Sequence, residues 1–274
     1  MYGWGIKLIF AGMNDQGLLF GLIVPFLGTA LGASCVLFMK DAIKGRWQKS
    51  LNGFAAGVMV AAAVWSLLIP SIEITGKEGL MSVVPAVVGF LAGIFFLLSL
   101  DMLIPHQHIE AKQSEGPRSS LSRSTKLVLA ITLHNIPEGM AVGVAFAAAT
   151  TGDASYLPVA GAIALAVGMA IQNFPEGAIV SMPLRSAGNS RFRSFSLGVL
   201  SGVVEPAAMI LTIMVTELVL TILPYVLAFS AGAMMYVVVE ELIPETQSGN
   251  HSNLGTIGFA VGFVLMMILD VVLG

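Results

Sequence analysis

His134-Asn135-Ile136-Pro137-Glu138-Gly139 lies inside an apolar run, and a near-copy, Gln172-Asn173-Phe174-Pro175-Glu176-Gly177, lies inside the next one. Each places a nitrogen or amide donor at position i, an Asn at i+1 and a Glu at i+4. On a helix, positions i and i+4 share a face and i+1 lies three residues before the Glu, so the three side chains converge. The prolines donate no backbone hydrogen bond, which deprives the Leu133 and Ile171 carbonyls of their usual partners. Within a membrane such freed groups are tolerated where they face protein or a wet cavity. Two of these segments side by side predict an oxygen-rich pocket with one imidazole, a site suited to a cation.

The rest of the chain supplies the membrane. It has 274 residues, 56% hydrophobic and only 11% charged, with a mean hydropathy of +0.89. Globular proteins carry about 25% charged residues, so this composition reads as an all-α, polytopic membrane protein. Apolar runs fall at about 18–39, 51–72, 81–104, 126–150, 158–183, 195–216, 219–243 and 254–273. Eight spans of about 20 residues use up the length as one transmembrane domain, 1–274. The first seventeen residues, with Trp4, Lys7, Asn14 and Asp15, lack the pattern of a signal peptide and read as an interfacial lead-in. The single Cys35 excludes a disulfide framework and a thiolate cluster.

The basic residues set the orientation. Lys40, Lys44, Arg46, Lys49, Lys112, Arg118, Arg123, Lys126, Arg185, Arg191 and Arg193 follow spans one, three and five, against Lys7 and Lys77 on the other side. The biased side is expected to be cytoplasmic, with both termini outside. Counting from these inner markers at 1.5 Å per residue, His134 lies ~12 Å deep, Met59 ~15 Å, Glu138 and Glu205 ~18 Å, Glu176 ~14 Å and Gln172 ~20 Å. Four spans therefore bring ligand-type side chains to one level of a hydrocarbon core ~30 Å thick.

Glu138, Glu176 and Glu205 have no Lys or Arg within any span to pair with. A buried carboxylate costs several kcal/mol unless it is protonated, paired or metal-bound, and carboxylates close together repel one another. Bound divalent cations would neutralise them; protonated, hydrogen-bonded carboxyls are the plainer alternative. A His, carboxylates, amides and the Met59 thioether suit first-row divalent ions, Zn²⁺ most simply, whereas Mg²⁺ favours all-oxygen sites that retain water.

Met59, Ser66 and Glu73, seven residues apart, would stack on one face of span two as an entry path, with ordinary helix packing as the alternative. Asp101, Glu240 and Glu241 stand near inner span ends, where an exit path would run. His106-Gln107-His108 opens the longest loop, either as a weak metal-capturing segment or as a solvated one. Spans two and seven share a short pattern. Ala56-Gly57-Val58-Met59 and Leu68-Ile69-Pro70 in one are matched by Ala231-Gly232-Ala233-Met234 and Leu242-Ile243-Pro244 in the other. They run in opposite directions, so an inverted repeat of the first and last three spans around the fourth and fifth is expected, a common plan of secondary transporters.

The paired motifs resemble the signature of the ZIP family of divalent metal transporters, in its bacterial GufA-like branch. The likeness covers essentially the whole chain. It implies a binuclear site in which Met59, His134, Glu138, Gln172 and Glu176 hold one ion. Asn135, Asn173 and Glu205, with the two motif glutamates as bridges, would hold the other. Gly202-Val203-Val204-Glu205-Pro206 resembles the family's third carboxylate donor. Many relatives carry His at the place of Gln172 or Asp at that of Asn173, so the site here is softer and less suited to narrow zinc selectivity. The resemblance also implies movement of Zn²⁺, and of Cd²⁺, Fe²⁺, Mn²⁺ and Co²⁺, toward the cytoplasm across a cell membrane.

The expected partners are divalent ions and the lipid bilayer, with homodimerisation left open. Nucleic acid is not among them, and no catalytic cofactor is expected. Two rivals remain from other classes: an intramembrane metal-dependent hydrolase, which would need an open metal position and a water, and a metal-binding receptor without transport. The hydrolase reading lacks a His-Glu-x-x-His motif, and there is no nucleotide-binding loop to couple ATP.

Overall fold

A computed structural model describes residues 15–38, 45–76, 78–106, 116–149, 158–186 and 188–273. These residues form helices and connecting turns with no β-strand among them. Eight helices are long and apolar enough to cross a membrane: Gln16–Phe38, Gly45–Glu73, Leu80–Leu103, Val128–Ala149, Val159–Ser186, Arg191–Met214, Leu223–Gln247 and Leu254–Leu273. They are spans one to eight below. The protein is thus an all-helical polytopic membrane protein.

Burial ranks the spans. Spans four, five and two have 72%, 67% and 67% of their apolar windows buried inside the protein, against 28% for span three and 17% for span eight. The two motif-bearing spans and span two are therefore the centre, and spans three and eight present most of their surface outward. Residues such as Phe95, Phe96, Val261 and Val264 lie exposed there, as expected where lipid replaces a protein core.

Small residues set the pairing. Span two packs on span eight, span seven on span three, span one on span five, and span six on span four. The first pair meets along Gly53-Phe54-Ala55-Ala56-Gly57 and Gly258-Phe259-Ala260-Val261-Gly262. A Cβ at Gly57 would lie 2.1 Å from the Phe259 carbonyl oxygen, and one at Gly262 2.1 Å from that of Phe54. Backbones approach this closely only where the side chain is a hydrogen, the usual solution for helix association in lipid.

Spans two and seven share a build. Span two runs as α-helix to Ala62, widens into a π turn at Ala63–Leu68, then continues through Ile69–Glu73 with Pro70 near its start. Span seven does the same with a π turn at Val238–Leu242 and Pro244 near the start of Ile243–Gln247. Proline has no N–H and crowds the carbonyl four residues back, so the preceding turn opens. The two helices are latched at both ends. Ser71 Oγ donates to the Pro224 carbonyl (2.7 Å), and Asn52 Nδ2 donates to Glu245 Oε2 (2.5 Å).

Several boundaries differ from the sequence expectation: span two already starts at Gly45 rather than at 51 and span seven runs on to Gln247, and two further starts have a local cause. The run at 219–243 begins within a short separate helix, Thr216–Thr221; span seven itself starts at Leu223, where Pro224 occupies the first turn. Span six starts earlier than 195, at Arg191, because Ser190 caps it by accepting a hydrogen bond from the Arg193 backbone (3.2 Å). It then breaks at Val203, between Gly202 and Val204. The N–H missing from Pro206 would have bonded the Gly202 carbonyl, so the break follows from the sequence. It leaves Glu205 in the first turn of the second half-helix.

Candidate functional site

Helix geometry delivers both motifs inward, with Pro137 and Pro175 inside unbroken helices. His134, Asn135, Glu138, Gln172, Asn173 and Glu205 are all buried, Glu138 and Glu205 to 2% exposure, while Glu176 is half-buried. None of the three carboxylates points to lipid, and the charges of Glu138, Glu176 and Glu205 are near enough to repel one another. Close approach of spans four and six makes this possible: a Cβ at Gly139 would lie 2.2 Å from the Glu205 carbonyl oxygen.

A chain of hydrogen bonds joins the central groups. Gln172 Nε2 donates to Glu138 Oε1 (2.6 Å) and to Asn173 Oδ1 (3.1 Å). Asn173 Nδ2 donates to Glu205 Oε2 (2.7 Å) and, at 3.4 Å, to the Pro25 carbonyl. Asn135 Nδ2 donates to Glu205 Oε1 (3.3 Å) and to the Ser201 carbonyl (3.2 Å). Thr29 Oγ1 of span one also donates to Glu205 Oε1 (2.8 Å). The carboxylates are thus linked through amides on spans four and five.

The network leaves acceptors over. Glu138 Oε2, Asn135 Oδ1 and Gln172 Oε1 are buried oxygens with no donor. Leaving a buried acceptor unsatisfied costs about 1–3 kcal/mol, more when it is charged. Oxygens of this kind are the atoms that ligate cations. No three His, Cys, Asp or Glu side chains cluster closely enough among the described residues to hold an ion alone.

Met59, His134 and Glu176 line a cavity shared with Asn52, Glu241 and Glu245. His134 Nδ1 pairs with the Glu241 carboxylate, which the π turn of span seven carries into reach. Glu138 and Glu205 line a second cavity with Pro25 and Met209. Five of the residues assigned by resemblance thus border two cavities rather than one finished cage, while Asn135, Gln172 and Asn173 line neither.

The path candidates are spread more widely. Met59 and Ser66 are buried, but Glu73 is exposed, and the π turn between them breaks the seven-residue stacking expected of a regular helix. Glu240 is exposed and Glu241 buried. His106 is fully buried rather than part of a solvated loop. Its Nε2 lies 2.9 Å from Asp101 Oδ1 and its Nδ1 2.8 Å from the Ile104 oxygen, so it closes the end of span three. His108 lies outside the described residues.

Sequence reasoning missed Thr29, Asn52, Glu245 and Asp270. Asp270 is 9% exposed, accepts from Ser66 Oγ (2.6 Å) through one oxygen, and has no donor for the other. The available signal was its apolar flanks, Leu269 and Val271, around a carboxylate in the last turn of span eight. A threonine in an apolar run carries no such signal.

Eight spans around a buried carboxylate–amide network with unfilled acceptors define a class, an intramembrane cation-handling protein. Sequence comparison narrows it. The family model for the ZIP zinc transporters matches residues 105–270. Over 91% of its length the chain is 39% identical to the zinc transporter ZIPB of Bordetella bronchiseptica, covering 79% of that protein. It is 37% identical to the zinc transporter GufA of Myxococcus xanthus, covering 93% of this chain and 99% of that one. It is 36% identical to human zinc transporter ZIP11, covering 90% and 94%. The chain belongs to the ZIP family.

Proposed function

We propose that this protein carries Zn²⁺ and similar divalent cations, Cd²⁺, Fe²⁺, Mn²⁺ and Co²⁺ among them, across a cell membrane toward the cytoplasm. The observation that carries the proposal is the buried network of Glu138, Gln172, Asn173, Asn135 and Glu205 with its orphaned oxygens. Relatives sharing nearly the full length of the chain are named zinc transporters, which supplies the metal. Inward direction and two-ion loading follow the family likeness.

In this reading the ion enters past Glu73, Ser66 and Asp270 and reaches Met59 at mid-depth. His134, Glu138, Gln172 and Glu176 hold it there, and Asn135, Asn173 and Glu205 hold a second ion beside it. Uptake requires binding weak enough to reverse, and amide oxygens are weaker ligands than carboxylates or thiolates, which suits release. On the inner side Glu241, Glu245 and Glu240 would receive the ion. The His134–Glu241 pair gives the imidazole a competing partner when the ion leaves.

Alternating access comes from one group of helices rocking against the group that carries the motifs. Its support is the packing: exchanging spans one with six, two with seven, three with eight and four with five maps the close helix pairs onto themselves. An inverted repeat would give such a mapping, and the shared pattern of spans two and seven supports the same reading.

The test is radiometal uptake. Purified protein in sealed vesicles should accumulate ⁶⁵Zn²⁺ and lose most of the flux on Glu138→Gln substitution. Metal binding with no flux would establish a receptor instead, and metal-dependent turnover without flux a hydrolase.

A further inference from the structure

Threonine hydroxyls on helices ordinarily donate to the carbonyl four residues back. Thr132 and Thr212 do so here, to Val128 (2.7 Å) and Ala208 (2.9 Å). Thr29 does not. Its carbonyl four residues back, that of Pro25, instead accepts from Asn173, and its hydroxyl crosses to Glu205 Oε1 at 2.8 Å. The residue is 2% exposed. Spans five and six close on it only because glycine faces it from both: a Cβ at Gly177 would lie 2.1 Å from the Thr29 backbone carbonyl oxygen, and one at Gly202 2.8 Å from its Cγ2. The methyl group is packed against Gly202 of span six, and the hydroxyl beside it reaches the carboxylate.

We infer that Thr29 is a positioning residue for the metal site, one that fixes Glu205 from span one and leaves its remaining lone pairs to an ion. The inference rests on the proposed metal site. Asn135 and Asn173 give N–H groups to Glu205 through Nδ2 and keep their amide oxygens for other partners. Thr29 adds a third donor, from a span that carries neither motif, and a hydroxyl on one lone pair of Oε1 leaves the others for metal. It restrains rotation of the carboxylate about its side-chain bonds, so the oxygens are already directed when an ion arrives. It also links span one, which carries neither motif, to occupancy of the site.

The experiment compares Thr29→Val, which is isosteric and lacks the hydroxyl, with Thr29→Ser, which keeps it. Each is assayed by equilibrium Zn²⁺ titration of the purified chain, by ⁶⁵Zn²⁺ uptake into vesicles and by melting of the metal-free protein. Thr29→Val should bind Zn²⁺ ~10-fold more weakly, the size of one hydrogen bond to a charged group. Its KM should rise by a similar factor with maximal rate unchanged, and the metal-free protein should still melt cooperatively, if at a somewhat lower temperature. Thr29→Ser should bind within about two-fold of the parent. Thr29→Ala gives the same readout if the valine variant does not insert. Zn²⁺ binding by Thr29→Val equal to that of the parent overturns the inference, as does a Thr29→Ser variant as weak as Thr29→Val, since the methyl group would then be what matters. If the parent moves no Zn²⁺ into vesicles but the titration still separates Val from Ser, transport is refuted and the role of Thr29 stands.

Discussion

The two motifs, nearly the same in letters, are used differently. In span five, Gln172 reaches across to the carboxylate of span four, and Glu176 stands half-buried at the cavity lined also by Glu241 and Glu245. In span four, Glu138 is fully enclosed, and His134 turns away from the network toward Glu241 of span seven. The second positions agree: Asn135 and Asn173 both donate to Glu205. The shared Asn and Glu thus build a common centre, while the one differing ligand, His against Gln, decides which neighbour each span engages. An imidazole pairs with a single carboxylate, whereas an amide donates to one group and still offers an oxygen to another.

The largest effect expected from this contrast is at the glutamates. Glu138→Gln should lower ⁶⁵Zn²⁺ uptake by at least ~100-fold, about 2.7 kcal/mol, and Glu176→Gln by clearly less. Equal losses would mean that the two motifs are interchangeable after all. Next comes the span-seven partner of the histidine. Removing a group that orients a metal ligand commonly costs 10–100-fold, so Glu241→Gln should raise the KM for Zn²⁺ by about 10-fold. His134→Ala should act in the same direction and add a change in metal preference, read by competition among Zn²⁺, Cd²⁺ and Mn²⁺. A Glu241→Gln variant with unchanged KM would make the pairing incidental.

A smaller change is expected from making the motifs alike. Gln172→His should tighten Zn²⁺ relative to Mn²⁺ several-fold, because imidazole favours later first-row ions. The smallest is expected on the outer side. Ser66→Ala removes one donor to Asp270 and should slow uptake by about two- to ten-fold, the worth of a single hydrogen bond, without altering metal preference.

The eight spans were legible because hydropathy and the placement of Lys and Arg are local properties. That Glu138, Gln172 and Glu205 share a level was legible too, since helical rise converts position into height, and one hydrogen-bond chain joins them. Lateral partners were not. Periodicity says which face a residue occupies but not which helix stands opposite, so the His134–Glu241 pair, 107 positions apart in the chain, left no sequence trace. The π turns were only half visible. Pro70 and Pro244 announce a disturbance, but whether it widens the helix or kinks it depends on the neighbours. His106 misled for a related reason: its position in a polar stretch suggested solvent, whereas Asp101 and the end of span three draw it inside.

The glycine seams have a mechanical consequence. Spans two and eight touch backbone to backbone, and the same close approach recurs where Gly93 meets Phe229, Gly28 meets Ala170 and Gly139 meets Glu205. Each pair therefore behaves as one stiff plank with almost no slack across its join. Between the four planks run polar contacts, Asn52 with Glu245, Gln172 with Glu138, Thr29 and Asn173 with Glu205, and His134 with Glu241, which can be exchanged more readily than a backbone seam. A covalent staple between two planks should stop the carrier with its cargo still aboard, whereas a staple within a plank should go unnoticed.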